Sequence, residues 1–301
     1  MGDYSGIILA GGDGTRLSAL TRRLVGDERP KQFCRLIGDE TLLAQTRRRA
    51  RLLVAPERLV TVVTRHHERF YRDAFTGIDP GTLVEQPSNR GTAPGVLYSL
   101  MRVSLLAPGR PVVMLPSDHY VSDDDAFMAR VEVALETVEA RPDVVVLLGI
   151  APDRPEVEYG WIEPAELILG ASPCPVYRVR RFWEKPSLSL ARQLEQAGCL
   201  WNSFVVVARP STLVEMIRRA APRLLEAFAP IRARLGTPWE EAVARAVYGR
   251  LSSVDLSRDV FQVPSERLAV LPVGGVSWSD LGDPSRVHAI RERFGWELAS
   301  A

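Results

Sequence analysis

Residues 6–17 read GIILAGGDGTRL. Gly6-Ile-Ile-Leu-Ala10 is a short apolar run closed by glycines, the pattern of a buried strand. Leu9–Leu17 then carries Gly11, Gly12 and Gly14. Glycines let a loop turn through positive φ and bring bare N–H groups to a ligand with no side chain between. A glycine loop after a strand is also an ordinary structural turn, so its neighbours decide. Arg16 stands in the same loop, and Lys31 follows in Arg29-Pro-Lys-Gln-Phe33. Amides together with an arginine and a lysine suit a polyphosphate. Two other phosphate loops are excluded. No GxxxxGK[ST] can be drawn here, and Leu17 occupies the third glycine position of GxGxxG, which counts against a nicotinamide enzyme.

Outward from this loop, strands and helices alternate. Thr41–Val54 reads as a helix with Leu42, Leu43, Thr46 and Ala50 on one face, and Leu59–Thr64 as a strand. Arg65–Phe75 reads as a helix, Thr82–Glu85 as a strand, and Thr92–Leu106 as a helix with Pro94 in its first turn. Pro111–Leu115 is an apolar strand ending at Pro116-Ser-Asp-His119. Asp123, Asp124 and Asp125 open a helix over Ala126–Ala140, where acidic side chains favour the helix N-terminus, and Val144–Ile150 is a further strand. This βαβα order predicts a mostly parallel sheet with helices on both faces, binding its ligands at the carboxyl ends of the strands. In the second half, strands are expected at Val176–Trp183, Cys199–Ala208 and Leu268–Val273. Helices are expected there at Leu188–Ala197, Pro210–Ala220, Arg223–Leu235, Trp239–Gly249 and Ser285–Phe294. No repeat, low-complexity tract or flexible linker interrupts the chain.

Composition narrows the function classes. Of 301 residues 46% are hydrophobic and 25% charged, ample for a large core. With 38 basic against 37 acidic residues, the net charge of +1 offers no broad footprint for nucleic acid or an anionic membrane, and neither partner is expected. The longest apolar run, Val144–Ala151, is far short of the roughly 20 residues that span a bilayer. The opening MGDYSG shows neither a secretory nor a myristoylation pattern. Cys34, Cys174 and Cys199 are odd in number and unpaired in spacing, as expected of reduced thiols in a cytoplasmic protein. Of the 38 basic residues only Lys31 and Lys185 are lysines, and both stand in motif-bearing segments. A compact ammonium acts as a point charge on phosphate and is not interchangeable with a planar guanidinium.

LAGGDGTRL at 9–17 followed by PKQF at 30–33 resembles the signature of the sugar-phosphate nucleotidyltransferases, most closely their mannose-1-phosphate guanylyltransferase branch. Further fragments follow in the order of that family: EQPSNRGTAP at 85–94, PSDH at 116–119, EYGWI at 158–162, WEKP at 183–186, WNS at 201–203 and WSDLG at 278–282. The likeness spans residues 6 to about 284. It implies a nucleotide-diphospho-sugar transferase fold, a Rossmann-like α/β arrangement whose mixed, mostly parallel sheet is flanked by helices. A single domain over 1–301 is expected, with a nucleotide-binding part at about 1–150, a sugar-binding part at about 151–284 and a C-terminal helix at about 285–301. The implied reaction moves a guanylyl group from GTP to mannose 1-phosphate, giving GDP-mannose and pyrophosphate by Mg²⁺-assisted in-line attack on the α-phosphate. Such chemistry is mainly positioning and charge neutralisation. The same chemistry on another sugar 1-phosphate or nucleoside triphosphate remains open, as does a catalytically silent regulator that binds sugar nucleotide.

The resemblance also assigns roles. Asp118 and Asp280 would hold Mg²⁺, which prefers hard carboxylate oxygens; a turn or cap is the alternative for each. Leu9, Ala10, Gly11, Gly12, Gly14 and Thr15 would line the nucleotide, with Arg16 and Lys31 on its triphosphate. Gln86, Gly91 and Thr92 would face the base. Lys185 would take the sugar phosphate, and Gly160, Glu184 and Asn202 the sugar. Arg16, Lys31, Asp118 and Lys185 form the expected catalytic set, and the chain is compatible with a homodimer. His119 reads as a packing residue and His66-His67 as the start of a helix, so the four histidines suggest no metal triad. Three features depart from the family pattern. Asn89 and Gly91 are effectively exchanged relative to GRNTAP, and Phe204 stands where a glycine is usual after WNS. The length given is expected to be too short for the full β-helix or isomerase domain into which longer relatives continue.

Overall fold

In β1 (Ser5–Leu9), Ile7 packs on one face of the sheet and Ile8 on the other, both fully buried. The computed structural model describes residues 3–170 and 174–295. The same division recurs in β2 (Leu59–Thr64) and β4 (Val112–Pro116), as period-two side chains require when both sheet faces are covered. With β3 (Leu83–Gln86) these strands form a parallel array in the order β3-β2-β1-β4.

The sheet does not stop there. Beyond the two-residue β5 (Tyr120–Val121) come β6 (Val145–Ile150), β7 (Gly160–Leu169), β8 (Val176–Glu184), β9 (Leu200–Ala208) and β10 (Leu268–Val273). They extend the order to β3-β2-β1-β4-β9-β6-β10-β8-β7, with β7 also reaching β9. Strand β9 runs antiparallel to both β4 and β6, and β8 antiparallel to β10 and β7, so the other seven strands share one direction. The sheet is therefore mixed and mostly parallel, with helices on both faces. Because β9 is reversed, its first residues lie beside the carboxyl end of β6, where Trp201 pairs with Ile150 and Asn202 with Gly149. That reversal carries residues of the second half to the edge formed by the carboxyl ends of the first-half strands.

A second, two-stranded ribbon joins β5 to β11 (Trp278–Ser279), pairing Ser279 with Tyr120. It brings the segment ending at His119 alongside the segment starting at Asp280. A separate apolar cluster of Leu17, Leu20, Leu36, Leu42, Tyr120, Leu281, Val287 and Ile290 packs beneath this region and anchors the end of the glycine loop.

Several elements differ from the sequence expectation. Strand β7 has no counterpart in it, because Pro164, Glu163 and Glu166 break the apolar pattern. The strand tolerates them through register shifts against β8 around Pro164, the accommodation that proline finds on an edge. Residues 65–75 form not one helix but a 3₁₀ turn (Arg65–His67), a short α-turn (Glu68–Tyr71) and a second 3₁₀ turn (Arg72–Phe75). Asp123 caps the helix Asp124–Ala140 by accepting from Ala126 N at 2.9 Å, while Asp124 itself binds Arg48 and Arg49. The last helix runs Pro284–Arg293, and residues 296–301 of the expected C-terminal helix lie outside the described residues. Among the described residues no helix is long and apolar enough to cross a membrane. The three cysteines are unpaired thiols.

Candidate active site

The glycine loop leaves β1 and is held from two sides. Ala10 N donates to Val62 O at 2.8 Å, and Thr64 Oγ1 donates to Gly11 O at 2.7 Å. Gln32 Nε2 donates to Ala10 O at 3.0 Å and to Gly12 O at 2.8 Å. Gly14 has φ +62°, and a Cβ there would come within 3.2 Å of Pro30 Cα and Lys31 N, so only glycine lets the loop close on the Pro30-Lys31 segment. Thr15 and Arg16 follow in a 3₁₀ turn (Thr15–Leu17). Gln32 has no assigned role in the sequence reading, although it stands inside the PKQF motif.

Lys31 is nearly buried. Its Nζ lies 3.3 Å from Asp118 Oδ2 and donates to the main-chain oxygens of Asp280 and of Leu281, the latter at 3.1 Å. Leu281 has φ +49°, a left-handed conformation that turns both carbonyls toward the ammonium. Ribbon β5–β11 thus brings Asp118 and Asp280 to one lysine. The Asp280 carboxylate accepts on Oδ1 from Tyr159 OH at 2.9 Å, Gly282 N at 2.8 Å and Arg286 Nη1 at 2.5 Å. Burial alone raises this carboxyl, but Lys31 and Arg286 outweigh it and leave the group below its ordinary value. Arg286 is itself fixed by Glu156 at 2.7 Å and Asp283 at 2.9 Å, and lies over the Tyr159 ring. His119, beside Asp118, is packed edge-on against Trp278, and burial first of all takes its imidazole down to about 4. It is the packing residue its position suggested.

Glu158, Tyr159 and Gly160 join these groups to the second half. Glu158 Oε2 sits 3.1 Å from Arg16 Nη1 and 3.7 Å from Lys185 Nζ, so both cations converge on one carboxylate. Tyr159 gives its hydroxyl to Asp280 and accepts at its main-chain oxygen from Lys185 N at 3.2 Å. A Cβ on Gly160 would come within 2.7 Å of the Phe182 ring, 3.0 Å of Glu184 Oε2 and 3.3 Å of Asn202 Cβ. Gly160, Glu184 and Asn202 are therefore one packed group, reached from Asp280 through Tyr159. Burial, then the negative charge of Asp255, push the Glu184 carboxyl up to about 7, against the opposing pull of Lys185, Ser257 and Arg258.

Between the carboxyl ends of β1, β3 and β4 lies a cleft of about 340 Å³. Leu9, Gly11, Gly12, Gln86, Gly91, Thr92 and Asp118 line it, together with residues outside the expected set, among them Asn89, Pro116, His119, Phe204 and Asp255. A larger depression around Arg141, Arg178, Arg219 and Arg267 lies at the amino ends of β6 and β10 and holds none of the motif residues. The Gln86 amide is buried between Gly11 and Gly95, and its Oε1 accepts from Tyr248 OH at 3.2 Å. Thr92 is engaged within the protein: its Oγ1 lies 3.1 Å from Asp255 Oδ2 and accepts from Leu256 N at 2.7 Å. Gly91, at φ +84°, presses against Val254 O so closely that a Cβ would lie 2.3 Å from it. Asn89 reaches the other way, donating to Asp13 Oδ2 at 2.9 Å. The exchanged Asn and Gly of NRGTAP therefore serve a cross-loop bond and a tight chain crossing.

The whole of this site falls within one family match. The nucleotidyl transferase family model covers residues 5–294. Xanthan biosynthesis protein XanB of Xanthomonas campestris pv. campestris is 31% identical over 98% of this chain, and the chain spans 61% of that protein's length. The mannose-1-phosphate guanylyltransferase of Escherichia coli (strain K12) is 32% identical over 73% of this chain and 46% of its own. A crystal structure described as mannose-1-phosphate geranyltransferase from Thermus thermophilus is 33% identical and superposes with a TM-score of 0.80, covering 96% of this chain and 79% of that one. The chain belongs to the nucleotidyl transferase family.

Proposed function

We propose that this protein joins a nucleoside triphosphate to a sugar 1-phosphate, with GTP and mannose 1-phosphate as the preferred pair. An oxygen of the sugar phosphate attacks the α-phosphorus, the bond from that phosphorus to the bridging oxygen breaks, and pyrophosphate leaves with the electron pair. The observation that carries this reading is Lys31, whose main chain abuts Gly14 of the glycine loop and whose ammonium is buried between Asp118 and the Asp280 turn. A fixed cation beside amides is suited to charge that develops on a phosphoryl group, because it needs no reorganisation when the charge forms. Arg16 and Lys185, which share Glu158, are the cations available to the triphosphate and to the sugar phosphate. Glu184 and Asn202 offer acceptor and amide groups to sugar hydroxyls. Gln86, with Oε1 taken by Tyr248, keeps its Nε2 for an acceptor on a base edge.

Asp118 and Asp280 form the hard-oxygen donor set that Mg²⁺ prefers. The Asp280 hydrogen bonds all fall on Oδ1, and its carboxyl is held ionised by Lys31 and Arg286, which fits a cation ligand. When bound, the ion would supply charge neutralisation on the phosphates. The names of the relatives support the mannose and guanine preferences, and the three unpaired thiols agree with a cytoplasmic setting.

Pyrophosphate release measured over four nucleoside triphosphates and a panel of sugar 1-phosphates, with Mg²⁺, tests this. The expected result is fastest turnover with GTP and mannose 1-phosphate. Turnover with UTP or dTTP instead would overturn the base preference. No turnover with any pair, alongside tight binding of a sugar nucleotide, would favour the regulator. A second reading, the same chemistry on a different sugar, is favoured by one observation: Phe204, whose N–H donates to Asn202 Oδ1 at 3.1 Å, also lines the cleft beside Asp118.

A further inference from the structure

Asp13 in the glycine loop and His66 and His67 at the end of β2 bring three ligand atoms to one point. Asp13 Oδ1 lies 3.1 Å from His66 Nε2 and 3.4 Å from His67 Nε2. All three atoms fall within 4.8 Å of one another. We propose that this trio is a site for a divalent transition metal such as Zn²⁺, separate from the Asp118–Asp280 pair.

Four observations support the site. Ligands bonded at about 2.0–2.1 Å on a tetrahedron stand roughly 3.3 Å apart, and the two carboxylate-to-imidazole separations match that edge. Asp13 Oδ1 is closed off from solvent yet accepts no hydrogen bond, while Oδ2 takes Asn89 Nδ2. A shielded carboxylate oxygen without a donor is costly, and a cation between it and the rings removes that cost. His67 is buried, so its imidazole is held in place with Nε2 3.4 Å from Asp13 Oδ1 rather than turning out into solvent. Lastly, among the described residues no lysine or arginine pairs with Asp13. Arg65, next in the chain, is drawn instead to Glu85 at 3.3 Å and Glu241 at 2.5 Å.

The donor set decides the metal. Two imidazoles and one carboxylate suit zinc, cobalt or nickel, whereas Mg²⁺ prefers oxygen throughout. The exposed edge at His66 leaves a fourth position open to water. Because Asp13 lies between Gly12 and Gly14, a bound ion would pin the glycine loop to the end of β2, and both elements wall the cleft. The adjacent histidines carry no such signal in the sequence; the third ligand comes from a distant loop that the fold delivers.

The test uses the full chain, stripped of metal with a chelator and titrated with Co²⁺ while its visible absorption is followed. One Co²⁺ per chain with the intense bands of a low-coordinate nitrogen and oxygen site is expected, displaced by Zn²⁺, whereas an ion on the all-oxygen Asp118–Asp280 pair would add only weak absorption. The binding should persist in Asp118→Asn and weaken at least about tenfold in His66→Gln, given that even outer-shell losses cost 10–100-fold. Asp13→Asn, which keeps the side-chain size, should weaken it equally and serves if His66→Gln does not fold. Co²⁺ absorption that survives in both His66→Gln and Asp13→Asn, or that vanishes in Asp118→Asn, would overturn the site. Absence of a Co²⁺ complex in the parent protein would do so too, and none of these outcomes depends on which nucleotide or sugar the protein uses.

Discussion

Lys31 Nζ stands 3.3 Å from Asp118 Oδ2, and the lysine side chain is 10% exposed while the aspartate keeps 28%. An ammonium so enclosed is held by the carboxylate and by two main-chain oxygens together, which makes its loss expensive in two ways. Lys31→Met should lower kcat by about 10²–10³, the cost of removing one fixed donor from developing charge. It should also destabilise the fold by about 1–3 kcal/mol, below the usual figure for breaking a buried pair because Asp118 retains contact with water. Asp118→Asn separates the two effects: turnover is lost while the denaturation midpoint stays near that of the parent. Wild-type rates in Asp118→Asn would remove that carboxylate from the site.

Glu158 pairs with Arg16 and Lys185 at once, and under the proposed function an arriving phosphate competes with it. Glu158→Gln should therefore tighten the binding of pyrophosphate and of the nucleoside triphosphate. All three side chains are about half exposed, so the gain is limited to under 1 kcal/mol, about fivefold at most. It should fade as salt is raised. Calorimetric titration of pyrophosphate at low and high ionic strength reads this directly. Weaker binding in the variant would show that Glu158 holds substrate rather than competing with it.

Glu184 titrates near 7 in the folded chain, because burial and Asp255 outweigh Lys185, Ser257 and Arg258. A carboxyl whose folded value lies above its unfolded one binds its proton more tightly when folded. Its contribution to stability is complete below about 4.5 and drains away as pH rises through about 7. The urea midpoint of the parent should thus fall between pH 5 and pH 8 more steeply than that of Glu184→Gln. Asp255→Asn should shift the fall to lower pH by removing the like charge. Identical slopes in the parent and Glu184→Gln would mean that Glu184 is ionised throughout that range.

The first half of the fold was open to reading because GIILA, LVTVVT and PVVML are short runs of apolar and β-branched residues, each ending in a loop with distinctive residues. Strand β7 was not, since Pro164 and two glutamates hide an edge strand that only its pairing with β8 makes visible. The motif residues could be named one by one, but their meeting could not. Asp118 and Asp280 come together through a ribbon of two residues on each side, too short to leave a periodic trace. Tyr159 and Arg286, which orient the Asp280 carboxylate, stand in or beside quoted motifs without any spacing that announces the role. The broken helix at 65–75 and the approach of His66 and His67 to Asp13 likewise depend on where β1 and β2 end relative to each other.

Phe204 carries a signal of its own, since a large residue stands where a glycine is usual. The reason for the glycine is geometric: residue 204 has φ +59°, in the left-handed region, at the point where β9 bulges against β6. An L side chain there costs about 1–2 kcal/mol, and the ring recovers a comparable amount by packing partly against the core on its side of the sheet. Two substitutions divide these contributions. Phe204→Ala loses the ring and keeps the backbone cost, so it should be less stable by about 1–2 kcal/mol. Phe204→Gly loses the ring and relieves the backbone, so it should stay within about 1 kcal/mol of the parent. The Phe204 N–H, which donates to Asn202 Oδ1 at 3.1 Å, is present in both variants and leaves that turn intact. Both open the cleft beside Pro116 and Asp118, which the residues proposed for the nucleotide also line. Both should therefore lower KM for sugar 1-phosphates bulkier than the best substrate and should change KM for the triphosphate as well. Denaturant midpoints with Ala at or above Gly would reject the strain account. Unchanged sugar selectivity in both variants would remove the ring from substrate choice.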